Sequence, residues 1–468
     1  MEQETTVGTG KWWNVFGRIK GDKVVWMVVL LLIMISMIAI SGSTSLLALD
    51  SNTTRIDLLT KHLWVCAGGL VLIFIIYLIP SIKLFETLSK TGFIISLFLL
   101  AMLLSHFNFS VGSFTFKAEQ LNDAWRTIRI WKIQIHVFEI VKVAMVMYLA
   151  WACKAYKEDS FKLSKKLAAL NIYVGKEHDR RLFGFMEEKW AELIFYILIP
   201  CVVITGMILP GSNSSALFIG GIMVMTVLIG GVDFKYIALL ALLGVALLGG
   251  AYGIYKLSDG KLFSRIATGL SRTFEHPTID ELFEAKSTYG KTSKEYKKIL
   301  QKMQQPYAAK IAVHEGGIPK GFGGSTQKYV VPVMYGDFMY SFILEETGLF
   351  GGIAIIVLYL SLLSRGSIIV KNCRDTFAQT AVGGLVLLIV GQAFMHIFIN
   401  LDTGLLTGQT LPLISHGSSS FLCFSIAFGI ILSISKMAWK ETSEQEREAD
   451  IEHGRPVEET ISADTGDF

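Results

Sequence analysis

Charge is what this sequence has least of. Only 18% of its 468 residues are Asp, Glu, Lys or Arg, against 52% hydrophobic ones, and the mean hydropathy is +0.51. That composition excludes an ordinary soluble domain and fits a polytopic membrane protein, for which lipid is most of the solvent. Cysteine is scarce as well. Cys66, Cys153, Cys201, Cys373 and Cys423 mostly sit inside apolar runs and none belongs to a paired motif, which argues against a disulfide framework or a zinc site. The formal net charge of +4 is too small for this length to suggest a nucleic-acid partner. No P-loop occurs, and no internal repeat of the kind that marks many transporters is visible. No short leader with a small-residue cleavage site precedes the first apolar run, which is expected to be retained as a span.

Long apolar runs are what the chain has most of. A span needs roughly 17 to 25 apolar residues, and candidates lie at 24–41, 63–80, 92–106, 133–153, 191–209, 216–230, 236–255, 337–363, 380–400 and 415–437. The sequence therefore predicts an all-α polytopic membrane protein of about ten transmembrane helices. An even number puts both termini on one side. Lys157, Lys162, Lys165, Lys166, Lys176, Arg180 and Arg181 follow span four, and Arg365, Lys371 and Arg374 follow span eight, all on the side of the N-terminal "KWWNVFGRIKGDK". The opposite short connections "PGSNSS" and "LDTGLLTGQT" hold no Lys or Arg, so the basic side is expected to be cytoplasmic. The expected division is a cytoplasmic segment 1–23, helices 1–7 in 24–255, a long extracytoplasmic loop 256–336 between helices 7 and 8, helices 8–10 in 337–437, and a cytoplasmic tail 438–468. The tail is acidic and poor in apolar residues, so disorder is expected there. The loop, roughly 80 residues, is far longer than an ordinary connection, and long structured loops tend to carry function.

The chemistry-bearing residues gather around that loop. Its end, "EGGIPKGFGGSTQKYVVPVMYGD", places glycine-rich backbone just before Asp337, with Lys310, Lys320 and Lys328 close by in sequence. Successive N–H groups with lysines beside them can cradle phosphate oxygens; glycine-rich stretches are also often plain turns. Asp337 has two readings too. It can cap the helix that follows, or it can act as a general base beside a diphosphate leaving group. Helical spacing puts Asp337, Ser341, Leu344 and Glu345 on one broad face and turns Glu346 away, giving a polar stripe about 12 Å long. Glu139 and Lys142 are one turn apart and form a structural pair. Arg126 and Arg129, with Trp125 and Trp131, read either as lipid head-group contacts or as snorkelling anchors. Gln392, His396 and Asn400 share one face of span nine, and "QTLPLISHGSSSF" implies irregular backbone at the start of span ten.

Together these segments resemble one family, the SEDS proteins FtsW, RodA and SpoVE. "TGQTLPLISHGSSS" is similar to the family's "TG-x-x-LP-x-x-S-x-GGSS", with Ser418 for the second glycine of "GGSS", and "GQAFMH" to its "QA-x-x-N", with His396 at the Asn position. "NDAWRTI" resembles "NGA-x-RWI" and keeps Arg126; Glu139 and Lys142 resemble the end of "QPSE-x-x-K". "YGDFMYSFILEETGLFGG" resembles "HTDFIFA-x-x-EE-x-GLIG", with Asp337, Glu345, Glu346 and Gly348 retained. The "P-E-N-x-S-T-A" variant that "LPGSNSSA" resembles tilts the likeness toward FtsW.

The resemblance implies a multi-pass enzyme of the bacterial cytoplasmic (inner) membrane, a peptidoglycan glycosyltransferase that polymerises lipid II in division or elongation. It implies a class B penicillin-binding protein as transpeptidase partner, alongside other division or elongation membrane proteins. Asp337 is then the catalytic residue. Substrate contacts are expected from Arg126, Lys320, Gly321, Gly323, Ser325, Gln327, Lys328, Glu345, Gln392, His396, Ser415 and Ser419. No cofactor is fixed by this reading, and a divalent cation (Mg or Mn) at the lipid diphosphate stays open. A precursor flippase and a noncatalytic scaffold are the readings from other classes. The placement of the long loop and Asp337 on one side speaks against the first, and retention of Asp337 against the second.

Overall fold

The computed structural model describes residues 20–50, 53–111, 114–121, 124–131, 133–161, 173–174, 180–181, 188–258, 310–317, 319–329, 331, 334–401 and 408–452, and a few positions between 284 and 293. Most of the long loop, much of the connection after span four and the two chain ends lie outside the described residues, and so do the expectations placed on them.

Every predicted span coincides with a helix. The first seven are α1 (Lys23–Ser43), α2 (Arg55–Leu78), α3 (Ile82–Leu104), α4 (Val137–Lys157), α5 (Lys189–Ile208), α6 (Asn213–Ile229) and α7 (Phe234–Leu257). After the loop come α8 (Met339–Asn372), α9 (Thr376–Asn400) and α10 (Ser418–Glu452). Seven of them, α1, α2, α3, α5, α8, α9 and α10, are long and apolar enough to cross a membrane by length and composition. The chain is a mostly helical, multi-pass membrane protein. Several helices start earlier than hydropathy suggests, because capping side chains set the ends. Thr54 and Asp57 form a capping box ahead of α2, and Asp22 and Asp375 accept first-turn N–H groups of α1 and α9.

Two features depart from the expected layout. A four-stranded antiparallel sheet stands between α3 and α4, in the order β1 (Asn108–Val111), β2 (Phe114–Leu121), β3 (Ala124–Ile130), β4 (Ile133–His136). Residues 133–136, expected as the start of span four, belong to β4. The anchoring role considered for Arg129 gives way to a cross-strand ion pair with Glu119, Nε to Oε2 2.8 Å. Trp125 stacks on His106 with ring centroids 4.2 Å apart. The second departure concerns the tail: α10 continues to Glu452, so disorder from residue 438 is corrected for 438–452. The stretch "MAWKETSEQEREADIE" is made largely of good helix formers and has no Gly or Pro, so nothing local stops the helix there.

α9 and α10 are the most buried spans, and α9 packs against α8, α4, α6 and α10. The C-terminal end of this central helix, the start of α8, the connection into α10 and the sheet's junction with α4 meet around Asp337.

Candidate active site

Asp337 lies in a turn, 334–338, two residues ahead of α8. The cap reading fails on geometry. The N-cap is Phe338, no side chain of its own element caps the helix, and the first-turn N–H groups go elsewhere. Ser341 N–H donates to Asn400 Oδ1 at 2.9 Å, and Tyr340 N–H to His396 Nε2 at 3.4 Å. Three successive carbonyls of the turn are then held from outside. Tyr335 O accepts the His416 N–H at 2.9 Å, Gly336 O accepts Ser415 Oγ at 2.8 Å, and Asp337 O accepts Asn400 Nδ2 at 3.1 Å.

The backbone is thus fixed while the carboxylate is left open. Among the described residues no hydrogen-bond donor reaches the Asp337 side chain. Gly408 lies against it: a Cβ added there would stand 3.4 Å from Oδ2. Burial in this turn pushes the Asp337 pKa up to about 6, and the charge of Arg126, reaching in from β3, works in the opposite sense. A partly desolvated carboxylate with an unspent lone pair beside a guanidinium is suited to take a proton from a hydroxyl near an anionic group.

The glycine-rich segment has a different role from the open phosphate cradle considered from sequence. Glu345 accepts from Ser325 Oγ (2.5 Å), Thr326 N–H (2.8 Å), Thr326 Oγ1 (3.0 Å), Gln327 N–H (3.4 Å) and Lys320 Nζ (2.9 Å). Glu346 Oε1 accepts Gly323 N–H at 2.9 Å, and its carbonyl accepts Gly321 N–H at 3.0 Å. An internal anion therefore already occupies the donors that would hold phosphate. Lys320 also pairs with Glu315, and Lys328 is buried with Nζ donating to Gly323 O at 2.6 Å. Glu346 is bonded as well, although helical spacing turns it away from the stripe and toward Gly42 of α1. The segment wraps the start of α8, so both neighbouring carboxylates meet it. Gly348 makes this wrap possible: at φ 71° and ψ −171° it breaks the helix beside Pro319, and an added Cβ would come within 2.9 Å of the Pro319 ring.

The remaining predicted residues divide between two places. Ser419 fastens the sheet to α10, accepting His136 N–H at 3.3 Å and donating to Gln134 O at 3.2 Å. Gln392, His396 and Ser415 are buried and bonded inside the protein, His396 through Nδ1 to Gln409 O at 2.8 Å. Lys142 is buried and reaches Glu139 Oε1 (2.7 Å), Gln392 Oε1 (2.6 Å) and Gln409 Oε1 (3.2 Å), so the predicted pair is one edge of a larger polar cluster. Sequence reasoning missed Gln409 and Gly408. It placed Asn400 on a polar face without giving it a role at Asp337.

The family model described as cell cycle protein, which joins FtsW, RodA and SpoVE, matches residues 22–440. The chain belongs to this family. It is 35% identical over 133 residues to peptidoglycan glycosyltransferase MrdB of Escherichia coli K12, a match covering 27% of this chain and 35% of that protein. It is 36% identical over 124 residues to the probable peptidoglycan glycosyltransferase FtsW of Caulobacter vibrioides, covering 26% and 32%. The chain spans about a third of the length of the curated relatives it matches. Solved structures extend the likeness of fold to almost the whole chain. RodA of Thermus thermophilus superposes with a TM-score of 0.53 at 17% identity, covering 90% of this chain and 98% of that one. A chain of a peptidoglycan synthase complex gives 0.54 at 17% identity, covering 89% and 97%. Within this family fold, the Asp337 turn and Arg126 occupy the junction of sheet, α8, α9 and α10 described above, and the clamped segment wraps the start of α8.

Proposed function

We propose that this family member is a peptidoglycan glycosyltransferase that polymerises lipid II at the outer face of the bacterial cytoplasmic membrane, with Asp337 as general base. The observation that carries this reading is the Asp337 carboxylate, which accepts no bond among the described residues, sits beside Arg126 and has its pKa raised to about 6. The 4-hydroxyl of the acceptor sugar attacks C1 of the donor, the C1–O bond to the diphosphate breaks, and the hydroxyl proton passes to Asp337. Arg126 faces the departing diphosphate, whose charge grows as that bond breaks. No group of three or more His, Cys, Asp or Glu that could hold a metal occurs among the described residues; a divalent cation at the lipid diphosphate would take most of its ligands from the substrate and water. The direct test is glycan synthesis from purified lipid II by the purified chain, alone and with a class B penicillin-binding protein as transpeptidase partner. Absence of product under both conditions, from folded protein, removes the reading.

Arg126 is expected to contact the lipid head. Arg126→Gln should raise the lipid II concentration for half-maximal rate by about tenfold, the size of one charge-assisted hydrogen bond. Lys320→Gln, whose lysine is bonded to Glu315 and Glu345, should leave that concentration unchanged and lower thermal stability instead. An unchanged concentration dependence for Arg126→Gln would return that residue to the role of an anchor.

Both termini are placed in the cytoplasm and residues 256–336 outside, which rests on the lysine and arginine asymmetry of the short connections. A cysteine at Thr292 should react with an impermeant maleimide in intact spheroplasts. Labelling only after lysis reverses the orientation.

A further inference from the structure

We infer that Asn400 is a positioning residue for Asp337: supplied from α9, it takes over the capping of α8 and so keeps the Asp337 carboxylate available for proton transfer. This rests on the reading of Asp337 as the base. An acidic residue just ahead of a helix is ordinarily drawn to the free N–H groups of the first turn. Here that demand is met by another helix. Asn400 is 1% exposed, and its amide is fully used. Oδ1 accepts Ser341 N–H at 2.9 Å and Ser341 Oγ at 2.8 Å; Nδ2 donates to Asp337 O at 3.1 Å and to His396 O at 2.8 Å. One side chain thus grips both sides of the helix start, the carbonyl of the base residue and the N–H four residues on. It touches no substrate in the proposed reaction and acts only through the backbone of the base.

Removing it has a specific consequence. With Asn400 gone, the Ser341 N–H is left without its acceptor, and the Asp337 carboxylate, four residues earlier and just ahead of the same helix, is free to swing toward it. A carboxylate that accepts an N–H is a weaker base, and its ionisation moves to lower pH. Arg126 on β3 is the charge that acts on Asp337, with His136 on β4 beside Arg126 and Glu139 and Lys142 on α4 beside His136, while His396 on α9 and His416 ahead of α10 meet the backbone on either side; the substitution leaves all of them in place.

The experiment is the pH dependence of lipid II polymerisation by the full-length chain. Asn400→Ala is expected to lower kcat by about 100-fold, as a small misplacement of a reacting group does, with KM unchanged. Its acid limb should move down by about one pH unit. Asn400→Asp keeps an acceptor for Ser341 but brings a second carboxylate near Asp337, so its acid limb should move up instead. That variant provides the test if Asn400→Ala does not fold. Loss of activity in both variants with the acid limb where the wild type has it would reduce Asn400 to a packing residue. Wild-type kcat in Asn400→Ala overturns the inference outright. The reading of Asp337 fails separately: Asp337→Asn would then stay active whatever Asn400 does.

Discussion

Asp337→Asn is expected to insert and fold as the wild type does and to lose polymerisation by about 10² to 10⁴, the usual contribution of a general base and about 3 to 5 kcal/mol of barrier. Asparagine keeps the size of the side chain and removes only the basic lone pair and the charge. Because Asp337 does not cap α8, no capping energy is at stake. Stability should even favour the variant at neutral pH. The Asp337 pKa is raised from its ordinary 3.8 to about 6, so the folded state binds this proton more tightly than the unfolded chain does. The resulting stabilisation is complete below the ordinary pKa and is lost as the pH climbs through about 6. The ionised carboxylate above that point is a burden that Asn does not carry. The same shift predicts that wild-type activity falls on the acid side near pH 6 rather than near pH 4. Rates on purified lipid II across that range, with thermal unfolding of both proteins, check all three statements. Near-normal glycan synthesis by folded Asp337→Asn would move the search for a base to Glu315 or Glu345.

The second large effect is on stability. Glu139→Gln should cost about 3 to 5 kcal/mol, because it leaves the Lys142 ammonium inside the protein without its counter-charge. Lys142 is 2% exposed at the side chain, and its other partners, Gln392 and Gln409, are neutral. Phe218 and Phe424 stand with ring centroids 5.9 and 5.8 Å from Nζ and offer only weak compensation. The cluster also joins elements: Gln409 donates to Ser215 on α6 at 3.1 Å, Gln392 to Thr410 O at 2.9 Å, and Ser420 on α10 to Glu139 Oε2 at 3.2 Å. Glu139→Gln combined with Lys142→Met removes the stranded charge, so the double variant should recover most of the loss. Unfolding in detergent measures both. A double variant no more stable than Glu139→Gln alone would show that the carboxylate matters for reasons other than neutralising Lys142.

How much of this was legible in the sequence depends on the physics behind each feature. Each run that hydropathy picked out coincides with a helix, since the demand that backbone polar groups be satisfied inside lipid leaves few alternatives. Hydropathy misjudged the ends, which are set by single capping residues such as Thr54 and Asp375. The sheet was missed although "FTFKAEQL" and "AWRTIRI" alternate in part and the intervening "GS" and "ND" are residue types that favour turns; next to long apolar runs, alternation over seven or eight residues is a weak signal. Asp337 stood out in sequence, but local sequence left it between cap and base, and only the sight of Asn400 and His396 on the first-turn amides separates the two. The glycine-rich segment misled because its composition reports available N–H groups and not what they already bond. Glu345 and Glu346, some twenty residues away, take them.

The carboxylate clamp has a consequence for the order in which the chain is made. Two glutamates near the start of a membrane helix burden its entry into lipid. Residues 320–327, which neutralise and bond them, precede α8 in the chain and are synthesised before Glu345 and Glu346 are added. The acidic helix therefore meets its partners as soon as it emerges. The Asp337 turn is different, because Asn400, Ser415 and His416 are translated 60 to 80 residues after it. A nascent chain halted before α9 can already hold its glycine-rich segment against α8, but the base acquires its final geometry only when the last two helices have been laid down.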